Sequence, residues 1–384
     1  MRMIVKTRPL PRGPHAVSSL YACCVAPRFV TNPAHTWWGR RSNRGATGRE
    51  RGVLSTDLRD ARHAARNPGT LGRMTNDLDL SALRAYLLGH ERVITARAAR
   101  TELGLTASDL SRLVTRGVLV RVCRGGYADA SAFVDASPEE RHELRLRAVL
   151  ATNVGYAASH QSAALMLGLP MMAADLSRIH VVRRTGSGHG RRRSAFTVHE
   201  DRPTGFHQVR GLWVVAAADA VMGAMRGSGD ISAQAVADAT LRLGLVSQEE
   251  LGRLAARGGA GVRRAVEHAD PSSESVGESA ARQVMRLLGY VVRTQVEFRD
   301  DRGFVGRVDF HLPELGVVVE FDGAVKYAGA EGRQALVREK AREDRLRALG
   351  LAVVRLVWSD LSDPELVRRK IEQAAASVRA RHTA

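Results

Sequence analysis

From residue 74 onward, short helical periodicities alternate with glycine stops. Residues 96–103 carry a helical pattern closed by Gly104, a residue that accepts the left-handed conformation of a helix end. Thr106-Ala107-Ser108-Asp109 then has the hydroxyl and acid spacing of a capping box. Leu110, Leu113 and Val114 fall on one face of the helix it opens, and Gly117 ends it. The run 118–122 and the segment Gly125-Gly126-Tyr127 predict a hairpin. Helix, glycine, helix and hairpin in this order predict a winged helix-turn-helix over 74–130.

The middle region, 131–268, is less sharply patterned. Ser137-Pro138-Glu139-Glu140 opens a helix that runs through Leu150. Ser159-His160 opens a second, which stops at Gly168-Leu169-Pro170, and Ile179-His180-Val181-Val182 reads as a strand. The arginines of 183–184 and 191–193, separated by glycines and His189, read as a mobile basic loop, either tracking phosphates or simply solvated. His160 has no partner visible in the sequence and reads as a capping or core histidine. A linker over 269–273 leads to a last domain, 272–384.

There the period falls to two. Arg307-Val308-Asp309-Phe310-His311 and the β-branched run Gly316-Val317-Val318-Val319 predict strands joined by the turn 312–315. The second strand ends in Glu320-Phe321-Asp322-Gly323. Alternate strand residues share a face, so Glu320 and Asp322 point the same way, and a hairpin brings Asp309 towards them. Converging carboxylates repel and are costly to desolvate unless a cation sits among them. Three such oxygen donors suit Mg²⁺ or Mn²⁺. The alternative is a set of solvated strand ends, salt-bridged to some of the chain's many arginines.

Composition modifies this picture in three ways. Only Lys6, Lys326, Lys340 and Lys370 among 58 basic residues are lysine. Lys326 lies just beyond the acids, where a lysine, unlike an arginine, can be tuned to orient or deprotonate a water; the alternative is a surface lysine. The formal charge of +18 is unevenly spread, because residues 1–73 hold 14 Lys+Arg against three acids. That surplus of 11 leaves about +7 for the other 311 residues, so net charge is weak evidence for nucleic acid. Residues 1–73 read as a disordered basic leader, which a start at Met74 would omit. No stretch approaches a membrane span. Cys23 and Cys24 lie in the leader, so Cys123 alone excludes a disulfide framework or cysteine-rich zinc site in the folded part and fits a reducing cytoplasm.

On the exposed face of the second helix stand Ser108, Ser111, Arg112 and Thr115, with Arg121 and Arg124 on the hairpin, as candidate DNA contacts. Residues 75–130 resemble the N-terminal winged helix of AbiEi-type antitoxins, and Ser159-His160 resembles a motif of the same group. The stretch from about Ser272 resembles the very-short-patch-repair-like branch of the P-D…(D/E)-x-K nuclease superfamily. That likeness rests on Ser275-Val276-Gly277-Glu278-Ser279, the two strands, the charged helix from Arg338 and the strand 353–358. It implies an α+β, multidomain protein ending in a restriction-endonuclease-like αβββαβ domain. It implies a metal-dependent DNA endonuclease using Mg²⁺ or Mn²⁺, with Asp309 and Glu320 as metal ligands and Glu278 as the acid of the first helix. Asp322 stands where that superfamily has its lysine, making Lys326 a relocated candidate, and Val308 replaces the usual proline. The alternative is a DNA-binding regulator or antitoxin whose nuclease fold is inactive. Expected partners are DNA and either a second copy or a toxin-type protein.

Overall fold

The computed structural model describes residues 80–383 except 173, 186–190, 227 and 324–329. The leader 1–73 and Lys326 lie outside the described residues. The described chain forms two compact units, residues 80–280 and 281–383.

The first unit begins with α1 (Leu80–Gly89), β1 (Val93–Thr95), α2 (Ala96–Leu103), α3 (Ala107–Thr115), β2 (Leu119–Cys123) and β3 (Gly126–Asp129). β3 pairs antiparallel with β1 on one side and β2 on the other. Local chemistry fixes each boundary. Thr95 caps α2 through its side chain, and Gly104 closes it at φ 66°. Thr106 and Asp109 form a reciprocal capping box on α3. Leu83, Leu87, Ile94, Ala99, Leu110, Leu113, Leu119 and Tyr127 bury together as the core of this part. Burying each of the large aliphatic side chains stabilises the fold by roughly 1.5–3 kcal/mol.

Next come α4 (Ala130–Val134), α5 (Pro138–Thr152), β4 (Tyr156–Ala158), α6 (His160–Met166), β5 (Ile179–Arg183), β6 (Arg191–Arg192), β7 (Phe196–His199), β8 (Phe206–Val209) and β9 (Leu212–Val215). The last six of these strands form one sheet in the order β6-β7-β5-β4-β9-β8. At Gly126 an added Cβ would lie 2.7 Å from both Cys123 Sγ and Thr152 Oγ1, so only glycine lets the β2–β3 hairpin seat on α5. Arg191 and Arg192, expected within a loop, instead pair with Val198 and Thr197 as an edge strand. Four helices follow: α7 (Ala217–Met225), α8 (Asp230–Arg242), α9 (Gln248–Ala256) and α10 (Ala260–Glu267). Their small residues, among them Ala224, Ala233, Ala237 and Ala265, are buried and allow close helix packing.

The expected linker is tied down. Asp270 N–H donates to Asp238 Oδ1 at 2.8 Å, and Arg242 donates to the Ser273 carbonyl. The boundary between units falls instead inside α11 (Val276–Leu287).

The second unit continues with β10 (Arg293–Asp300), β11 (Gly303–Leu312), β12 (Val317–Phe321), α12 (Ala330–Ala348), β13 (Ala352–Leu356), α13 (Trp358–Leu361) and α14 (Pro364–Thr383). The sheet order is β10-β11-β12-β13, with the first three strands antiparallel and β13 parallel to β12. A parallel neighbour requires a crossover, which α12 supplies. Val317, Val318 and Val319 are fully buried, as a strand covered on both faces demands. Val367, Ile371, Ala375 and Val378 give α14 its buried stripe.

Candidate nucleic-acid interface and acidic strand corner

α3 has two faces. Leu110 and Leu113 are 2% and 0% exposed, whereas Ser108, Ser111, Arg112 and Thr115 all face solvent. The Ser111 hydroxyl donates to the Ala107 carbonyl and the Thr115 hydroxyl to the Ser111 carbonyl, which leaves their oxygens as acceptors on the surface. Arg112 is ion-paired to Asp109 one turn earlier. Hydrogen bonds from Thr106, reinforced by Arg112, hold the Asp109 carboxyl at about 2, so this partner stays ionised. Arg121, opposite Tyr127 in the hairpin, and Arg124, at its tip, are exposed. Neither makes an ion pair within 4.0 Å among the described residues. This surface therefore offers two guanidinium groups without an ion pair among the described residues and a third already matched.

The acids of β11 and β12 sit differently. Phe310 faces Val319 in the antiparallel register, which places Asp309 across from Glu320. Asp309 Oδ2 accepts the Phe321 N–H at 2.8 Å. Glu320 is partly buried and accepts from Arg342 on α12 at 2.5 Å, with Arg355 of β13 at 3.9 Å. The same arginines bind Glu339, at 2.9 and 2.5 Å, and Arg355 also reaches Glu343 at 3.3 Å. Burial raises the pKa of Glu320, and the Arg342 hydrogen bond opposes that rise. Asp322 lies just beyond the strand, its N–H donating to the Leu356 carbonyl at 2.8 Å.

Among the described residues, the nearest cations to Glu320 are guanidinium groups. Asp309, Glu320 and Asp322 do not meet as a three-ligand group; among the described residues the group with that closeness is a different one. The cations offsetting the buried carboxylate are arginines, the alternative that the strand pattern had left open. Glu278 is buried, 8% exposed, and caps the start of α11 by accepting from Glu274 N at 2.9 Å and Ser275 Oγ at 2.8 Å.

A histidine cluster in the six-stranded sheet escaped the sequence. His160, at the start of α6, stacks on His199 of β7 with ring centroids 3.7 Å apart, and His180 Nδ1 lies 2.8 Å from His199 Nε2. His160 Nε2 is 3.5 Å from Asp201 Oδ2. Burial, assisted by the neighbouring imidazoles, lowers His160 to about 4 and His180 to about 3. The spacings 160, 180 and 199 have no local period; only the pairing of β7 beside β5 assembles them.

A family model described as "Transcriptional regulator, AbiEi antitoxin" matches residues 81–128, which span α1 to most of β3. No curated protein matches the chain. No helix among the described residues is long and apolar enough to cross a membrane.

Proposed function

We propose that the chain is a DNA-binding transcriptional regulator of antitoxin type. In this reading residues 80–129 are a winged helix, α3 enters the major groove, and the β2–β3 hairpin lies against the phosphate backbone. The observation that carries it is the division of α3 and the hairpin into a buried apolar face and an exposed face of hydroxyls and unpaired arginines. This division falls within the 81–128 match to the regulator model. Hydroxyl oxygens and guanidinium groups read base edges and hold phosphates. The antitoxin description of the matched family makes a toxin-type protein the natural second partner.

The nuclease reading of the second unit has less support, because Glu320 is engaged by Arg342 and, among the described residues, Asp309, Glu320 and Asp322 do not bring three ligand atoms together. A selection from a random duplex library, followed by fluorescence anisotropy on the enriched sequence, tests the regulator reading. Binding that is tight, sequence-selective and about a hundredfold weaker in an Arg121→Gln/Arg124→Gln variant is expected. Equal affinity for every duplex, or none at low salt, would overturn it.

A further inference from the structure

The histidine cluster lies outside the proposed DNA contacts, and its geometry is unusual for a merely packed set of rings. His160 has φ 48°, in the left-handed region that a non-glycine residue adopts at a cost of roughly 1–3 kcal/mol. The surroundings enforce that conformation. A Cβ on Gly223 of α7 would stand 2.9 Å from His160 Cα and 3.1 Å from its Cγ, so only glycine lets α7 press on the histidine. Ser159 N–H donates to the His180 carbonyl at 3.0 Å, stitching the start of α6 to β5. In this conformation the His160 ring lies against His199 and beside Asp201.

We propose that His160, His199 and Asp201 form a binding site for a divalent transition metal of the zinc class. One ligand atom from each lies within 4.8 Å of the others, and turning the stacked His160 and His199 rings apart would let both in-plane lone pairs meet one ion. Two imidazoles and one carboxylate suit zinc better than magnesium, and three protein ligands leave a coordination position open to water or a partner group. His180 is the positioning residue. Its hydrogen bond to His199 fixes the tautomers of the two rings as a pair, as an outer-shell partner of a metal ligand does. His180 is itself held, since its N–H donates to Ser162 Oγ at 2.9 Å. Ser162 in turn bonds His142 Nε2 at 2.8 Å. Asp201 is 42% exposed, so an ion can enter from solvent; Arg226, 3.5 Å from the same carboxylate and 54% exposed, is the cation it would displace.

The test is a titration of the chelator-stripped, full-length protein with Co²⁺, read by its visible ligand-field absorption, followed by displacement with Zn²⁺. One equivalent should bind with the intensity of a four- or five-coordinate ion, and Zn²⁺ should remove the band. Asp201→Asn, at an exposed position that leaves the core intact, should weaken binding, and His199→Gln should abolish it. His180→Gln should lower affinity by roughly 10–100-fold while the band keeps its shape, as expected for an indirect role. Thermal melts of each metal-free variant separate lost binding from lost folding. No stoichiometric band, or a band that folded Asp201→Asn and His199→Gln both retain, would overturn the site.

Discussion

Arginine does different work on the β2–β3 hairpin and around the sheet of the second unit. On the β2–β3 hairpin Arg121 and Arg124 stand in solvent, with no ion pair among the described residues. In the second unit Arg342, Arg345 and Arg355 are spent on carboxylates. Arg345 grips Asp300 through two bonds of 2.6 and 2.7 Å, and Arg342 and Arg355 share Glu320 and Glu339. A neutralised guanidinium releases no phosphate counterions, so the formal charge of +18 overstates what the protein can offer to DNA. The difference separates a surface that can bind from a surface that is held together.

The largest expected effect tests the binding side of this contrast. Each phosphate contact is a charge-assisted hydrogen bond of roughly 1.5–3 kcal/mol, or at least about tenfold in affinity. Arg121→Gln/Arg124→Gln should therefore weaken binding about a hundredfold and lower the slope of log affinity against log salt by about 2. Adding Arg112→Gln should change the slope less than either hairpin substitution, because Asp109 already matches that charge. Anisotropy titrations at several salt concentrations measure all three. A slope governed by Arg112 alone would invert the comparison.

The holding side predicts the next largest effect. Arg342→Ala leaves Glu320, 14% exposed, facing only Arg355 at 3.9 Å. Stranding a partly buried carboxylate should destabilise the second unit by about 2–3 kcal/mol, measurable by urea unfolding. DNA affinity and its salt slope should not move. Glu320→Gln in the Arg342→Ala background should recover part of the loss, since the pair is coupled.

What the sequence made legible follows the range of the interactions. α2 and the start of α3 were readable to the residue because Gly104, Thr106 and Asp109 act within one turn. The β11–β12 hairpin was readable because a short turn joins two strands of clear period, and Gly316 closes it at φ 62°. The partner of Glu320 was not readable. Arg342 lies 22 residues away on a helix crowded with arginines, and composition cannot choose among them. Most of the six-stranded sheet was equally hidden, for β4, β7, β8 and β9 are three or four residues long and several pair out of chain order. His160 consequently looked solitary until β5 and β7 set His180 and His199 beside it.

A smaller effect concerns pH. His142 is fully buried, and its Nδ1 lies 2.9 Å from the Leu176 carbonyl. That carbonyl can only accept, so Nδ1 carries the proton and Nε2 accepts from Ser162. Burial lowers the pKa of His142 below 6.5. The unfolded chain therefore binds a proton more readily, and stability is fully present above about pH 6.5 and falls on acidification below it. Melting temperature should drop between pH 7.5 and 5. His142→Gln should melt lower at pH 7.5, yet lose less on acidification. An identical slope in the variant would remove His142 from the account.

The smallest expected effect falls on the residue that looked most catalytic. Asp309→Asn keeps an oxygen that can accept the Phe321 N–H, so it changes charge with little loss of structure. If Glu320 is held by arginine rather than metal, the parent and Asp309→Asn should both leave supercoiled DNA uncut in Mg²⁺ or Mn²⁺ and bind duplex equally. Ligand exchange is the route by which this could fail. A metal arriving beside Asp309 would have to draw Glu320 away from Arg342, leaving that arginine to Glu339 and the Arg307 carbonyl. Cleavage by the parent that Asp309→Asn abolishes would demonstrate that exchange and restore the endonuclease reading. Arg342→Ala should then bind the metal more tightly than the parent, since its competitor is gone.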